Sequence, residues 1–96
     1  MLARIYKQTV QRVLCSLSQL NSHAAFIFTC QDAGKIVLWI GECCSEEDIS
    51  AGNAIVAEVV YYDFQGTAAV DTVYEGKETD VQISDLMDII LMQIHG

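Results

Sequence analysis

Four cysteines, two histidines and a run of acids beside a serine are the residues in this chain whose types could do chemistry. They are densest at Cys43-Cys44-Ser45-Glu46-Glu47-Asp48. Vicinal cysteines bond to one another only with strain, no Cys-x-x-Cys pair occurs, and His23 and His95 lie far off in sequence, so no zinc site is expected. A helix N-terminus would favour a thiolate at Cys43 or Cys44, but Glu42, Glu46 and Glu47 oppose it. Packing near a helix start is the expected role, and all four cysteines are expected as free thiols, with Cys15 and Cys30 in predicted strands. Ser45 with His23 or His95 makes part of a hydrolytic triad by residue type alone, and its place ahead of three acids suits a helix cap better. Glu46/Glu47/Asp48 and Asp85/Asp88 read as solvated helix starts or weak calcium ligands sooner than as acid/base pairs. Gly34, Gly41, Gly52, Gly66 and Gly76 are isolated and form no phosphate loop. No enzyme is expected.

The charge balance excludes further classes. Five basic residues against 13 acidic ones give a net charge of −8, which repels nucleic acid and anionic lipid. Hydrophobic residues make up 52% of the chain, too many for a disordered tail, yet no apolar run is long enough for a membrane span. Met1–Lys7 shows neither a signal peptide nor an anchor, so a cytosolic, soluble single domain over residues 1–96 is expected.

The elements that would position these residues centre on Ala24–Val60. Ala25–Cys30 and Lys35–Ile40 are apolar runs rich in β-branched and aromatic residues, separated by Gln31-Asp32-Ala33-Gly34, and predict a hairpin of strands covered on both faces. Gly41 ends the second strand. Ser45-Glu46-Glu47-Asp48 then has the spacing of a capping box, opening a helix over about 45–61 with Ile49, Gly52, Val56 and Val60 at helical spacing. Upstream, Arg4–Leu17 alternates as a strand pair with a turn at Gln8-Thr9, and Ser18–His23 reads as a loop or single helical turn. Downstream, Ala68–Tyr74 predicts a strand and Glu75–Thr79 a charged turn. Residues 81–94 predict an amphipathic helix with Ile83, Leu86, Met87, Ile90 and Ile94 on its apolar stripe, covering the sheet face opposite the first helix. The fold class is α+β, with about four or five largely antiparallel strands.

Four strings in order carry a family resemblance. They are Phe26-Ile27-Phe28; Gly34 to Gly41 with its Trp39-Ile40-Gly41 ending; Ser45-Glu46-Glu47-Asp48 with the Ala-containing helix; and Val70 to Glu78 with Glu75-Gly76-Lys77-Glu78. Together they resemble gelsolin/villin/severin homology domains across nearly the whole chain. That resemblance implies a central mixed sheet between the long helix and the C-terminal helix. It also implies a non-enzymatic actin-binding regulatory module of the cytoplasm and cytoskeleton, alone or within a multi-domain protein, with Ile49, Asn53, Val56 and Val59 of the long helix meeting the partner. The family's calcium site usually takes a Gly-Asp pair before the first hairpin strand, where this chain has His23 and Ala24. Only the helix acid has a counterpart, Asp48 or Glu47, so at most a degenerate calcium site with weak or absent calcium dependence is implied. The alternative is a gelsolin-like structural module that binds other proteins and not actin. The family itself admits both uses. Because actin is acidic, a domain of this charge would have to bind it by shape and apolar anchors.

Overall fold

The computed structural model describes residues 1–31 and 33–95, with the side chains of Leu17 and of residues 92–95 outside that description. The expected turn role of Asp32, the stripe position of Ile94 and the triad role imagined for the His95 side chain therefore lie outside the described residues. Five strands, β1 (Leu2–Tyr6), β2 (Thr9–Val13), β3 (Ala25–Cys30), β4 (Lys35–Ile40) and β5 (Ala69–Tyr74), form one sheet in the order β2-β1-β3-β4-β5. Helix α1 (Glu46–Asp63) joins β4 to β5, and α2 (Asp80–His95) follows β5.

The topology follows from the connections. Tight turns join β1 to β2 and β3 to β4, and these pairs are antiparallel, as is β1 with β3. Strands β4 and β5 run parallel, in register from Lys35↔Ala69 to Ile40↔Tyr74, which needs a crossover of helical length, and α1 supplies it. The sheet is thus mixed.

Alternation along the two central strands sorts their apolar runs onto two faces. Phe26, Phe28, Val37 and Trp39 pack with Leu2, Val73 and the Leu86, Ile89 and Ile90 side chains of α2. Ile27, Ile36, Leu38 and Ile40 pack with Ile5, Val56 and Phe64 under α1. Each helix covers one face, as the amphipathic reading requires. Gly52 lets α1 lie close on the sheet: a Cβ there would stand 3.0 Å from Leu38 Cδ1 and 3.4 Å from Ile5 Cδ1.

Several local expectations are corrected. The first hairpin turns at Lys7-Gln8, whose φ angles of 50° and 62° describe a type I′ turn, and not at Gln8-Thr9. Cys15 lies in a bend beyond β2 and not in a strand, because β2 is an edge strand that stops at Val13. A 3₁₀ turn at Leu17–Gln19 follows. On α2 the buried stripe is Leu86, Ile89 and Ile90, while Ile83 and Met87 are exposed; the apolar residues exceed what one face can bury, and the register that places Ile89 inward wins. The charged turn expected at Glu75–Thr79 is present, with Lys77 N–H donating to Tyr74 O at 3.0 Å, and α2 then opens on a reciprocal capping box that the sequence reading does not identify: Gln82 N–H donates to Thr79 Oγ1 and Thr79 N–H donates to Gln82 Oε1, both at 3.1 Å.

Candidate functional site

The long helix carries one broad exposed face, and its approach and first turn are fastened from two sides. Ser45 caps it, accepting the Asp48 N–H at 3.2 Å. In a capping box the acid three residues on would return to the cap's own N–H. Asp48 turns instead toward the first hairpin, accepting Lys7 N–H at 2.9 Å on Oδ2 and Gln8 N–H at 2.7 Å on Oδ1. It is 2% exposed. On the other side, Glu75 at the end of β5 accepts the Glu42 N–H at 2.8 Å and the Ser22 hydroxyl at 2.9 Å. Those two donors, the backbone bond first, hold the Glu75 carboxyl below its ordinary pKa. Cys43 N–H donates to Ser22 O at 2.7 Å between them.

The face that α1 turns outward is shallow. Ser50, Asn53, Ala54, Ala57 and Glu58 are exposed along it, and Tyr61 and Tyr62 stand out at its C-terminal end, 70% and 75% exposed and edge to face at 4.9 Å. Ile49, Ile55 and Val59 are half-buried on its margins, packed against the core below. Beside Ile49 a groove of about 190 Å³ separates α1 from the end of β5, lined by Ile40, Cys44, Tyr74 and Lys77 among others. A larger cleft of about 500 Å³ opens near the first hairpin, lined by Tyr6, Lys7, Gln8, His23, Cys43, Ser45, Glu47 and Asp48.

The structure thus places the residues expected at a partner surface unequally. Asn53 lies on the outward face, its Nδ2 donating to Ile49 O at 3.1 Å, and Ile49 and Val59 border that face. Val56 is removed from the set: it points into the sheet, 7% exposed, because it shares the inward stripe with Gly52. Tyr61, Tyr62 and Tyr74 are exposed aromatics that the sequence reading passed over, although adjacent tyrosines at a helix end are a visible signal. Of the two acids expected as calcium ligands, Glu47 is exposed and Asp48 is buried and engaged by backbone donors.

Burial, and after it the Asp48 charge, raises the Cys44 thiol pKa, and burial also raises that of Cys15, the reverse of what a reactive thiolate needs. Ser45 Oγ is engaged at the helix cap, and exposed His23 is fixed through its N–H to Asn21 Oδ1 at 3.0 Å. Among the described residues no helix is long and apolar enough to cross a membrane.

Comparison with known proteins agrees with this architecture. No curated protein sequence matches the chain. The fold is similar to that of Thorarchaeota ProGel in its crystal structure with rabbit actin, with a TM-score of 0.76, 16% identity, and 88% of this chain and 96% of that chain covered. It is also similar to Thorarchaeota 2DGel3 in complex with rabbit actin, at a TM-score of 0.70 and 18% identity, covering 86% of this chain and 43% of that chain. The family model of the gelsolin repeat matches residues 7–81, from the first hairpin turn through the start of α2, and the chain therefore belongs to the gelsolin repeat family.

Proposed function

We propose that the chain is a non-catalytic, actin-binding regulatory module that docks through the outward face of α1 and the groove beside Tyr74. The observation that carries this reading is the fold shared with two proteins each crystallised with actin. The face itself suits a protein partner. Its small side chains let another surface approach closely, and its rim of Ile49, Val59, Tyr61 and Tyr62 offers the aliphatic and aromatic anchors that dominate interface energetics. At a net charge of −8 the module is repelled by an acidic partner at a distance, so its binding is expected to strengthen modestly as salt screens that repulsion. One repeat offers one such face, which fits binding of a monomer or a filament side; capping and severing would need further repeats. The module would act in the cytoplasm, at the actin cytoskeleton.

Co-sedimentation with filaments and pyrene-actin assembly assays test this. Asn53→Arg and Ala57→Arg are expected to leave the circular dichroism spectrum unchanged, since both positions are exposed on a helix. Each should weaken actin binding by about tenfold or more. If the unmodified chain binds neither form of actin at roughly tens of micromolar, the reading fails and a structural interaction module takes its place.

A further inference from the structure

The family resemblance implies a cation site at the start of α1, and the residues there do not fit one. Calcium takes six to eight oxygens at bonding distance. The acid best placed to begin such a cage, Asp48, already has an N–H on each oxygen, from Lys7 and Gln8. A cation approaching along those directions meets the positive ends of two peptide dipoles. The same cleft carries the Lys7 ammonium, 5.5 Å from the Tyr6 ring centroid, and its other nearby acid, Glu47, is exposed. His23 and Ala24 supply no carboxylate. Among the described residues no three His, Cys, Asp or Glu side chains gather as a cation cage.

We propose that Asp48 is an internal tie that mounts α1 on the first hairpin without a divalent cation, so that the partner face is held in one geometry whether calcium is present or not. Lys7 and Gln8 both sit at positive φ, a conformation that costs non-glycine residues free energy and leaves two successive N–H groups turned to the same side. A single carboxylate on the first turn of α1 accepts both, and the helix dipole favours its charge. The tie spans 40 and 41 residues of sequence, joining the edge of the sheet to the helix that crosses over it. Where an ion would couple helix position to calcium level, a carboxylate leaves nothing to titrate in the calcium range.

This inference rests on the actin reading only for its last consequence, and the experiment separates the two. Thermal melts of the purified chain are recorded at about 1 mM calcium, near the weak end of protein calcium sites, and again with chelator. The midpoints are expected to coincide. Asp48→Asn, which keeps the shape but replaces one acceptor oxygen with a donor, should lower the midpoint by roughly 5–10 °C equally in both solutions. Glu47→Gln should change neither. A calcium-induced rise of about 10 °C or more that Asp48→Asn abolishes would overturn the proposal, as would an unchanged midpoint in that variant. Should Asp48→Asn fail to fold, titration of the unmodified chain with calcium chloride by calorimetry decides the matter: heat of saturable binding refutes it and its absence supports it. In co-sedimentation, actin affinity should agree within about twofold between calcium and chelator, and a tenfold gain in calcium refutes the tie. If actin does not bind at all, the functional reading falls while the melting comparison still judges Asp48.

Discussion

Replacing Gly41 by alanine is expected to destabilise the domain severely, and the structure sets the size of the effect. A Cβ on Gly41 would stand 2.6 Å from the Ser22 carbonyl carbon, closer still to its oxygen, and 2.8 Å from the Ala24 carbonyl oxygen. Carbon and oxygen rest at about 3.3 Å or more. All three obstacles are backbone, so no rotamer change relieves them, and the Asn21–Ala24 segment must move by more than half an ångström. That segment accepts Gly41 N–H at 3.1 Å on Ala24 O and Cys43 N–H at 2.7 Å on Ser22 O. Loss of two such bonds with part of their donors stranded costs about 2–4 kcal/mol, and the residual overlap adds about 1 kcal/mol. Urea unfolding followed by the fluorescence of Trp39, which is buried two residues away and is the only tryptophan, reads this directly. With a slope of about 1–3 kcal/mol/M, the midpoint should fall by about 1–5 M at unchanged slope. A shift smaller than about 0.5 M would refute the reasoning, because it would mean the 21–24 segment yields freely and does not brace the entry to α1.

Two further outcomes follow from the same geometry. Glu75 has its pKa lowered on folding, so the folded state holds its proton less tightly than the unfolded chain; its contribution is complete above the ordinary value of 4.5 and is lost as pH falls through the lowered one. The difference in urea midpoint between the unmodified chain and Glu75→Gln should therefore be larger at about pH 7 than at about pH 3.5, and a gap that is unchanged or wider at acid pH would sink the assignment. On α2, Ile89→Ala should cost about 2–5 kcal/mol and Met87→Ala less than about 1 kcal/mol, since Ile89 is 1% exposed and Met87 is 41% exposed. Equal losses in urea titrations of the two variants would show that the helix sits in the other register.

The fold was legible where one physical signal dominated. Continuous apolar runs at Ala25–Cys30 and Lys35–Ile40, bounded by a turn and by Gly41, could only be strands covered on both faces, and the structure covers them with α1 and α2. Signals failed where two patterns competed. On α2, Ile83, Leu86, Met87, Ile89, Ile90 and Leu91 are all apolar, so periodicity alone could not tell which line of them faces the sheet, and the exposed Ile83 and Met87 were assigned inward. The alternation over Arg4–Leu17 predicts a strand pair but not its place in the sheet: β2 lies at the edge and Val10 is exposed, a matter of strand order that the local pattern does not encode. Of the residues expected at a partner face, Asn53 is exposed on α1 and Ile49 and Val59 are half-buried beside it, whereas Val56 was drawn in by the same helical spacing that makes it core. Asp48 shows the deepest limit: Ser45-x-x-Asp48 reads as a capping box, and nothing local says that its carboxylate is claimed by a turn 40 residues upstream.

That distant claim bears on what the acidity of the chain is for. Thirteen acidic residues suggest a solubilising shell or a cation surface, yet several are spent on internal order. Asp48 holds the 7–8 turn and Glu75 holds Glu42 N–H and Ser22, one on each side of the passage from β4 into α1. Glu78 accepts from Trp39 Nε1 at 3.4 Å, and Asp85 meets Lys35 at 3.2 Å, a half-exposed pair of small energetic worth. The two ties that matter most are carboxylate to backbone N–H, which are short, directional and stronger than neutral bonds. Asp48 fixes the first turn of α1 against the first hairpin, and Glu75 fixes the segment that leads from β4 into α1 against the end of β5. If the proposed docking through α1 holds, a face mounted in this way would lose little conformational freedom on binding, and the shallow surface around Asn53 would need only modest anchors because little ordering remains to be done. Asp48 and Glu75 are taken up in structure while Glu47 and Glu58 stay exposed around the face, so a chain of net charge −8 has no attraction to offer an acidic partner there and recognition would be left to shape.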